Sequence, residues 1–204
     1  MDRVKIKEEA KAFIRGKKWD IWKPTLIVAG IVFLAELIIG LIFKQGTTLY
    51  SFLTTLVTVA TVPMTFGLTK YYLNMIRGKE YNIDMLFAYY KDPTALGSMV
   101  LVTFVVGLCI AAGTLLLIVP GIIIGLSLYF FAQVYIDNDM KLSVRELLHK
   151  CREMMNGHKM DLFVFFLSFI GWILLGSLTL GILYIWLMPY MTIAEYKFYE
   201  ELKK

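Results

Sequence analysis

Charge is scarce in this chain, because Asp, Glu, Lys and Arg make up 18% of its 204 residues while hydrophobic residues make up 58%. The mean hydropathy is +0.67. This balance leaves too little polar surface to cover a water-soluble domain. The composition therefore excludes an ordinary soluble protein and predicts that the chain is embedded in a lipid bilayer.

Cysteine is also scarce, and the motifs of common enzyme classes are missing. The sequence places Cys109 within a membrane span and Cys151 beside the cytoplasm, which argues against a disulfide between them. It contains no glycine-rich phosphate loop, nucleophile elbow or zinc-hydrolase motif. Glu146, His149 and Glu153 share one helical face, but on a basic helix we interpret them as solvated surface rather than metal ligands. We expect no metal, no cofactor and no catalytic residue.

The uncharged runs are long enough for six passes, since a helix needs about 20 residues to cross a bilayer. Residues 24–43, interrupted only by Glu36, and residues 45–69 supply one pass each. The runs 93–136 and 162–194 are too long for one pass, so each supplies two. We place the two reversals at Val119-Pro120-Gly121 and at Thr179-Leu180-Gly181.

The basic residues are distributed asymmetrically across these passes. Of the 21 Lys and Arg residues, all but Lys44 fall on one side. The positive-inside rule makes that side cytoplasmic, together with both termini. The basic residues flank apolar runs, so anionic lipid headgroups are the expected partner and nucleic acid is not. We predict a multi-pass protein of the cell membrane without a cleaved signal peptide.

Each pair of passes follows a cytoplasmic segment whose apolar residues recur at helical spacing, around residues 6–14, 83–90 and 144–155. Ser143 and Glu146 fit a capping box, and Asp92-Pro93 fits a helix start. The predicted fold is an all-α integral membrane domain of three hairpins, each preceded by an amphipathic helix. These form a threefold repeat with units of about 1–78, 79–139 and 140–204. The amphipathic helices either lie in the membrane interface or only cap the bundle.

Glu36 is the strongest candidate for a functional residue. An ionisable group deep in a span costs roughly 3 kcal/mol and usually faces a bundle interior or a water-filled cavity. At a matching depth the second span offers the hydroxyl groups of Thr54, Thr55 and Thr58. One hypothesis is a proton- or cation-coupled site in which Glu36 cycles between charged and neutral forms. The alternative is a protonated Glu36 that links the two helices structurally.

Prolines and glycines in the spans are candidates for packing positions. Pro63 and Pro189 lie inside the predicted second and sixth spans, where packing distortion is a commoner role than gating. Gly121 and Gly125 form a small-xxx-small face on the fourth span, whose ordinary role is close packing inside the monomer. Dimerisation through that face is the alternative.

The C-terminal half carries several distinctive motifs. They are Met155-Asn-Gly-His-Lys-Met-Asp-Leu-Phe163, Leu167-Ser-Phe-Ile-Gly-Trp-Ile-Leu-Leu-Gly176, Trp186-Leu-Met-Pro-Tyr190 and Phe198-Tyr-Glu-Glu-Leu202, with Leu117-Ile-Val-Pro-Gly121 upstream. In these motifs the chain resembles the bacterial multipass proteins grouped as domain-of-unknown-function family 975. That family is itself similar to the membrane domain attached to some bacterial glycerophosphodiester phosphodiesterases. The resemblance implies a polytopic membrane protein and transfers no catalytic residues or phosphodiesterase activity.

Three functional classes remain open. The first is a non-enzymatic membrane protein that binds or transports a small solute, a lipid or a membrane-active peptide, including a self-protection role against such peptides. The second is a scaffold or assembly factor that recruits a membrane protein or peptide partner through the cytoplasmic helices. The third is a lipid-processing enzyme. The sequence leaves the ligand and the oligomeric state open.

Overall fold

The fold was described from a computed structural model, which covers residues 2–179 and 181–204. Regular structure in these ranges is entirely helical, as predicted. The α-helices are α1 (Arg3–Ile14), α2 (Lys18–Ile42), α3 (Thr48–Ile76), α4 (Pro93–Leu116), α5 (Ile118–Leu128), α6 (Phe131–Asp137), α7 (Val144–Met154), α8 (Lys159–Leu178) and α9 (Tyr184–Leu202). Leu180, which belongs to the second predicted reversal, lies outside the described residues.

Five described helical segments are long and apolar enough to cross a membrane. They are Lys18–Ile42, Thr48–Ile76, Pro93–Leu116, Ile118–Asp137 and Lys159–Leu178. The fourth combines α5 and α6. Helix α9 is not among them, since Glu195, Lys197 and two further glutamates occupy its second half. The chain is therefore a helical membrane protein with several candidate spans, while a sixth pass and the threefold repeat stay predictions.

Two predicted helix starts are confirmed by side-chain hydrogen bonds. The Asp92 carboxylate accepts hydrogen bonds from the backbone N–H groups of Thr94 at 2.9 Å and Ala95 at 3.3 Å, directly before Pro93 begins α4. At the start of α7, Ser143 and Glu146 cap each other's backbone N–H groups. These contacts satisfy donors that the first turn of a helix leaves unpaired.

The segment between α3 and α4 differs from the predicted amphipathic helix, because it forms two 3₁₀ turns, Ile83–Leu86 and Ala88–Lys91. Its backbone lies directly on α3 at Gly67. A Cβ atom on Gly67 would come within 2.7 Å of the Leu86 Cα atom. Packed helices are separated by about 8–10 Å, so a full helix does not fit this close to α3.

The reversal between α4 and α5 is also displaced from its predicted position at Val119-Pro120-Gly121. Leu117 alone is extended, and Pro120 and Gly121 lie in the first turns of α5. Proline fits there because the first turn needs no backbone donor. A Cβ atom on Gly121 would lie 2.7 Å from the Thr114 Cα atom, whereas one on Gly125 would meet nothing within 4 Å. Gly121 thus packs inside the monomer, and Gly125 does not.

The reversal between α8 and α9 uses a glycine in the left-handed region, since Gly181 has φ +88°. The ring of Tyr184 lies over Gly176, and its hydroxyl donates to the Ile173 carbonyl at 2.9 Å. Pro189 is buried inside α9, as Pro63 is buried inside α3. Both prolines therefore lie at packing surfaces.

The core gathers around the second half of α3, where Phe66 is 1% and Tyr72 2% exposed. The ring of Phe66 lies 6.0 Å from that of Phe131 in α6. The ring of Tyr72 lies 5.3 Å from that of Tyr196 in α9, and its hydroxyl donates to the Ile21 carbonyl of α2 at 2.8 Å. This half of α3 therefore contacts three other helices.

Helices α1 and α7 bury their apolar faces in the protein. Ala10 of α1 is fully buried and Ile6 is 5% exposed, while Leu147 and Cys151 of α7 are fully buried. Burial raises the pKa of the Cys151 thiol to about 12, so the thiol stays protonated and unreactive. Of the two alternatives for these helices, burial favours capping of the bundle.

The contact at Gly67 can be tested by Gly67→Ala. Because the added methyl group meets backbone atoms of the 3₁₀ turn, we expect a loss of about 1–3 kcal/mol in the free energy of unfolding. Gly107→Ala is the control, since a Cβ atom there meets nothing within 4 Å. Thermal unfolding in detergent micelles measures both variants. Equal stability of the two would contradict the packing described here.

Candidate functional site

The structure does not bring together the site predicted around Glu36. Glu36 is exposed on the outside of α2. Among the described residues, its carboxylate makes no hydrogen bond and no ion pair. The hydroxyl of Thr55 donates to the Ser51 carbonyl at 2.7 Å, and that of Thr58 donates to the Thr54 carbonyl at 3.0 Å.

Thr54 behaves in the same way, since its hydroxyl donates to the Ser51 carbonyl at 3.0 Å. Threonine commonly bonds back to its own helix in this manner, which satisfies the hydroxyl donor without a partner helix. The predicted polar residues therefore lie on one hairpin but do not form a site within the monomer.

A groove with a different set of polar residues lies where α1 and the start of α2 meet α8 and α9. Its volume is about 360 Å³. Lys11, Arg15 and Lys18 form its basic side, and Trp172, Trp186 and Tyr190 form its aromatic side. The rest of its described lining is aliphatic. We call this feature the basic-aromatic groove.

Cation–π contacts join the two sides of the basic-aromatic groove. The Lys18 ammonium lies 3.5 Å from the ring centroid of Trp186, and the Lys11 ammonium lies 5.7 Å from that of Tyr190. Beside the groove, the indole N–H of Trp22 donates to the Ile185 carbonyl at 3.0 Å. These contacts hold the start of α2 against the start of α9.

The basic side of the groove lacks a counter-ion in residues 2–179 and 181–204. None of its three cations forms an ion pair with a carboxylate in those ranges. Elsewhere on α1, burial and the nearby charges of Lys11 and Arg3 lower the pKa of Lys7, whose ammonium lies 4.5 Å from the Phe169 ring centroid. Positive charge is therefore concentrated along α1 where it contacts α8 and α9, which attracts anions.

Helix α1 is held in this position by polar and apolar contacts together. The Glu9 carboxylate forms an ion pair with the Lys197 ammonium of α9, at 3.3 Å. At the other side, the Arg3 guanidinium lies 3.9 Å from the Asp161 carboxylate of α8. Together with the buried residues Ile6, Ala10 and Ile14, these ion pairs attach α1 to both α8 and α9.

A second polar cluster, the Arg77 network, lies at the ends of α3, α6 and α9. The Arg77 guanidinium donates two parallel hydrogen bonds to Asp137, at 2.7 and 2.8 Å, and two to one oxygen of Glu200, at 2.6 and 2.9 Å. Asp137 also accepts from the Tyr199 hydroxyl at 2.8 Å and from Lys203 at 2.7 Å. The Asp137 side chain is 10% exposed. Such bidentate, charge-assisted contacts are the strong class of hydrogen bonds.

The electrostatics of the Arg77 network favour a structural role. Its hydrogen bonds to Asp137 raise the pKa of Arg77, so the guanidinium stays charged. Burial, followed by the charge of Asp137, raises the pKa of Tyr199, so its hydroxyl remains a donor. Every charge in the network has a partner of opposite sign, as in a structural cluster.

The face of α7 considered for metal binding is solvated. His149 and Glu153 form a pair at 3.3 Å with side chains 71% and 68% exposed, and Glu146 is used in the helix cap. Within the described part of the chain, no group of three His, Cys, Asp or Glu side chains is placed to hold a metal ion.

Residues 94–204 match the family described as "Protein of unknown function (DUF975)". The chain belongs to the DUF975 family. No curated protein and no solved structure matches it. The resemblance seen in the C-terminal motifs is therefore confirmed, whereas the similarity to the phosphodiesterase membrane domain stays a prediction.

The matched region of this DUF975 protein contains the aromatic side of the groove and two acidic members of the Arg77 network. The basic side and Arg77 itself precede the match. Sequence reasoning missed the groove, although Lys11, Arg15 and Lys18 recur at helical spacing and the facing residues include two tryptophans. That combination is typical of a membrane interface. It missed the Arg77 network because nothing local pairs Arg77 with residues so distant in sequence.

The Arg77 network can be tested by Arg77→Gln. The change leaves Asp137 and Glu200 without their shared cation, so we expect a loss of about 2–3 kcal/mol, less than for a fully buried pair. Thermal unfolding in detergent micelles is the measurement. Lys204→Gln is the control, because its pair with Glu201 has side chains 73% and 41% exposed and we expect no measurable change. Matching losses in the two variants would refute the structural role of the network.

Proposed function

We propose that this DUF975 protein is a non-enzymatic multi-pass membrane protein that binds an anionic phospholipid in the basic-aromatic groove. The observation that carries the proposal is the set of three cations, without acidic partners in the described residues, facing an aromatic and aliphatic surface. A phospholipid has the complementary arrangement, with a phosphate joined to apolar chains.

The groove residues supply the chemistry that such a ligand requires. The Arg15 guanidinium is a planar donor suited to two phosphate oxygens, and Lys11 and Lys18 add point charges. Trp172 and Trp186 are suited to the level of the headgroup and glycerol, since indole rings prefer the membrane interface. Acyl chains would continue along the exposed aliphatic residues of α8 and α9.

The size and lining of the groove favour a lipid over the other candidate ligands. About 360 Å³ is at the small end of ligand pockets, which suits one headgroup better than a membrane-active peptide. Its described lining contains no carboxylate, histidine, serine or cysteine. It therefore lacks the side chains that most commonly act as general base or nucleophile in hydrolysis, which argues against a lipid-processing enzyme.

The predicted topology indicates which membrane leaflet would provide the lipid. If the basic segments are cytoplasmic, as the positive-inside rule predicts, Lys11, Arg15 and Lys18 lie at the level of the inner-leaflet headgroups. That leaflet attracts cations near its surface by roughly 1 kcal/mol for each Lys or Arg. Anionic lipid of the inner leaflet is therefore the proposed ligand, and neutral lipid is not.

The proposal can be tested with the double variant Arg15→Gln/Lys18→Gln. Because two cations are lost, we expect affinity for phosphatidylglycerol to fall roughly 30-fold, with little change for phosphatidylcholine. Native mass spectrometry of the full chain from nanodiscs of each lipid measures retained lipid. The matched control is Lys91→Gln/Lys141→Gln, which removes two exposed cations outside the groove.

Two outcomes would overturn the proposal. One is an equal loss of phosphatidylglycerol in the control and the groove variant, which would reduce the effect to net charge. The other is displacement of the lipid by millimolar inorganic phosphate, which would make the groove a site for free phosphate. Thermal unfolding of each variant verifies that the protein remains folded.

A further inference from the structure

The distal half of the α2–α3 hairpin, residues 29–62, contains no buried residue. Burial in α2 ends at Val28 and resumes in α3 at Pro63, and no residue between them is buried. In α4, by contrast, burial extends to Gly113, and in α8 it extends to Gly176. The hairpin therefore presents an extended surface that the described part of the monomer leaves uncovered.

Lipid chains can cover the apolar residues of this surface, but they offer no hydrogen-bonding partner to the carboxyl group of Glu36. The carboxyl group lies six residues before the end of α2, about 9 Å along the helix axis. It has no hydrogen-bonding partner among the described residues, and the nearby threonine hydroxyls donate within their own helix. Ionisable groups within spans are almost always paired or face a polar interior. The surroundings of Glu36 are therefore incomplete in a single copy.

Glu36 lies on a helix face with the spacing of a helix–helix seam. Ala29, Phe33, Glu36 and Gly40 follow one another at intervals of four, three and four residues. All four are exposed, Phe33 by 64%. A Cβ atom on Gly40 would meet nothing within 4 Å. Small residues at the ends of this face permit close helix approach, and a polar residue within it fixes the register.

The partner that best complements this helix face is the same face of a second copy of the chain. A two-fold axis along the membrane normal places the same residue of both copies at the same depth. A protonated carboxyl group has one donor and one acceptor, so two of them satisfy each other. We propose that two copies of this chain pair through the seam of α2, with their Glu36 carboxyl groups hydrogen bonded across the interface.

Disulfide trapping tests the seam directly. In a Cys109→Ala/Cys151→Ala background, Phe33→Cys and Gly40→Cys introduce cysteines on the seam. Leu34→Cys and Ile38→Cys place them on the opposite face, where both side chains are also exposed. A disulfide requires Cα atoms within about 7 Å, so we expect oxidation in liposomes to yield dimers only from the seam variants.

Association measured with Glu36 variants tests the hydrogen bond. We expect Glu36→Leu to weaken dimerisation by about tenfold in a liposome energy-transfer dilution assay. Glu36→Gln keeps a donor and an acceptor and should stay within about threefold of the unmodified chain. The groove residues lie outside residues 29–62, so phosphatidylglycerol retention should be unchanged in both variants.

Three results would overturn the pairing. They are a monomer at all protein densities in the dilution assay, equal trapping from both faces, and trapping of a different protein in native membranes with no dimer in liposomes. The last result would assign the seam to another membrane protein. The background variant is first compared with the unmodified chain by thermal unfolding.

Discussion

The arrangement of the helices depends on Arg77, because this one side chain joins the ends of α3, α6 and α9. Apolar contact between helices gives little driving force in hydrocarbon, so hydrogen bonds and close backbone approach select the arrangement. The Arg77 network provides charge-assisted hydrogen bonds, and Tyr72 and Trp22 add hydrogen bonds to backbone carbonyls of α2 and α9. Close approaches occur at Gly67 and Gly121 against backbone, at Gly113 against the Ile124 side chain, and at Gly176 against the ring of Tyr184.

The basic-aromatic groove is a consequence of this arrangement. Glu200 fixes the end of α9 to Arg77, and Lys197 then holds α1 through Glu9. With α1 fixed along α9, the cation of Lys18 meets the ring of Trp186. The proposed lipid site is therefore formed by α1 and the start of α2 together with α8 and α9, and neither pair of helices could form it alone.

The sequence predicted what depends on local chemistry and missed what depends on tertiary contact. Uncharged runs identified the candidate spans, and Asp92 and Ser143 marked helix starts because a cap needs only nearby residues. Residues 83–90 were predicted as a helix from their periodicity, but this segment packs on Gly67 and forms 3₁₀ turns instead. For the candidate site, the sequence shows the basic and aromatic residues of the groove. It does not show that they lie side by side, because that depends on the contact between α1 and α9.

Arg77 and Glu36 show two ways in which a membrane protein uses charged residues. Arg77 finds all its partners within the chain, so its interactions contribute to folding of the monomer. Glu36 shares no such contact among the described residues, and its cost in the membrane is the same whether or not the rest of the chain is folded. Selection for folding alone would favour an apolar residue at that position. In the proposed pairing, the Glu36 carboxyl group gains its stabilisation from the second copy, which makes it suited to control association between folded chains.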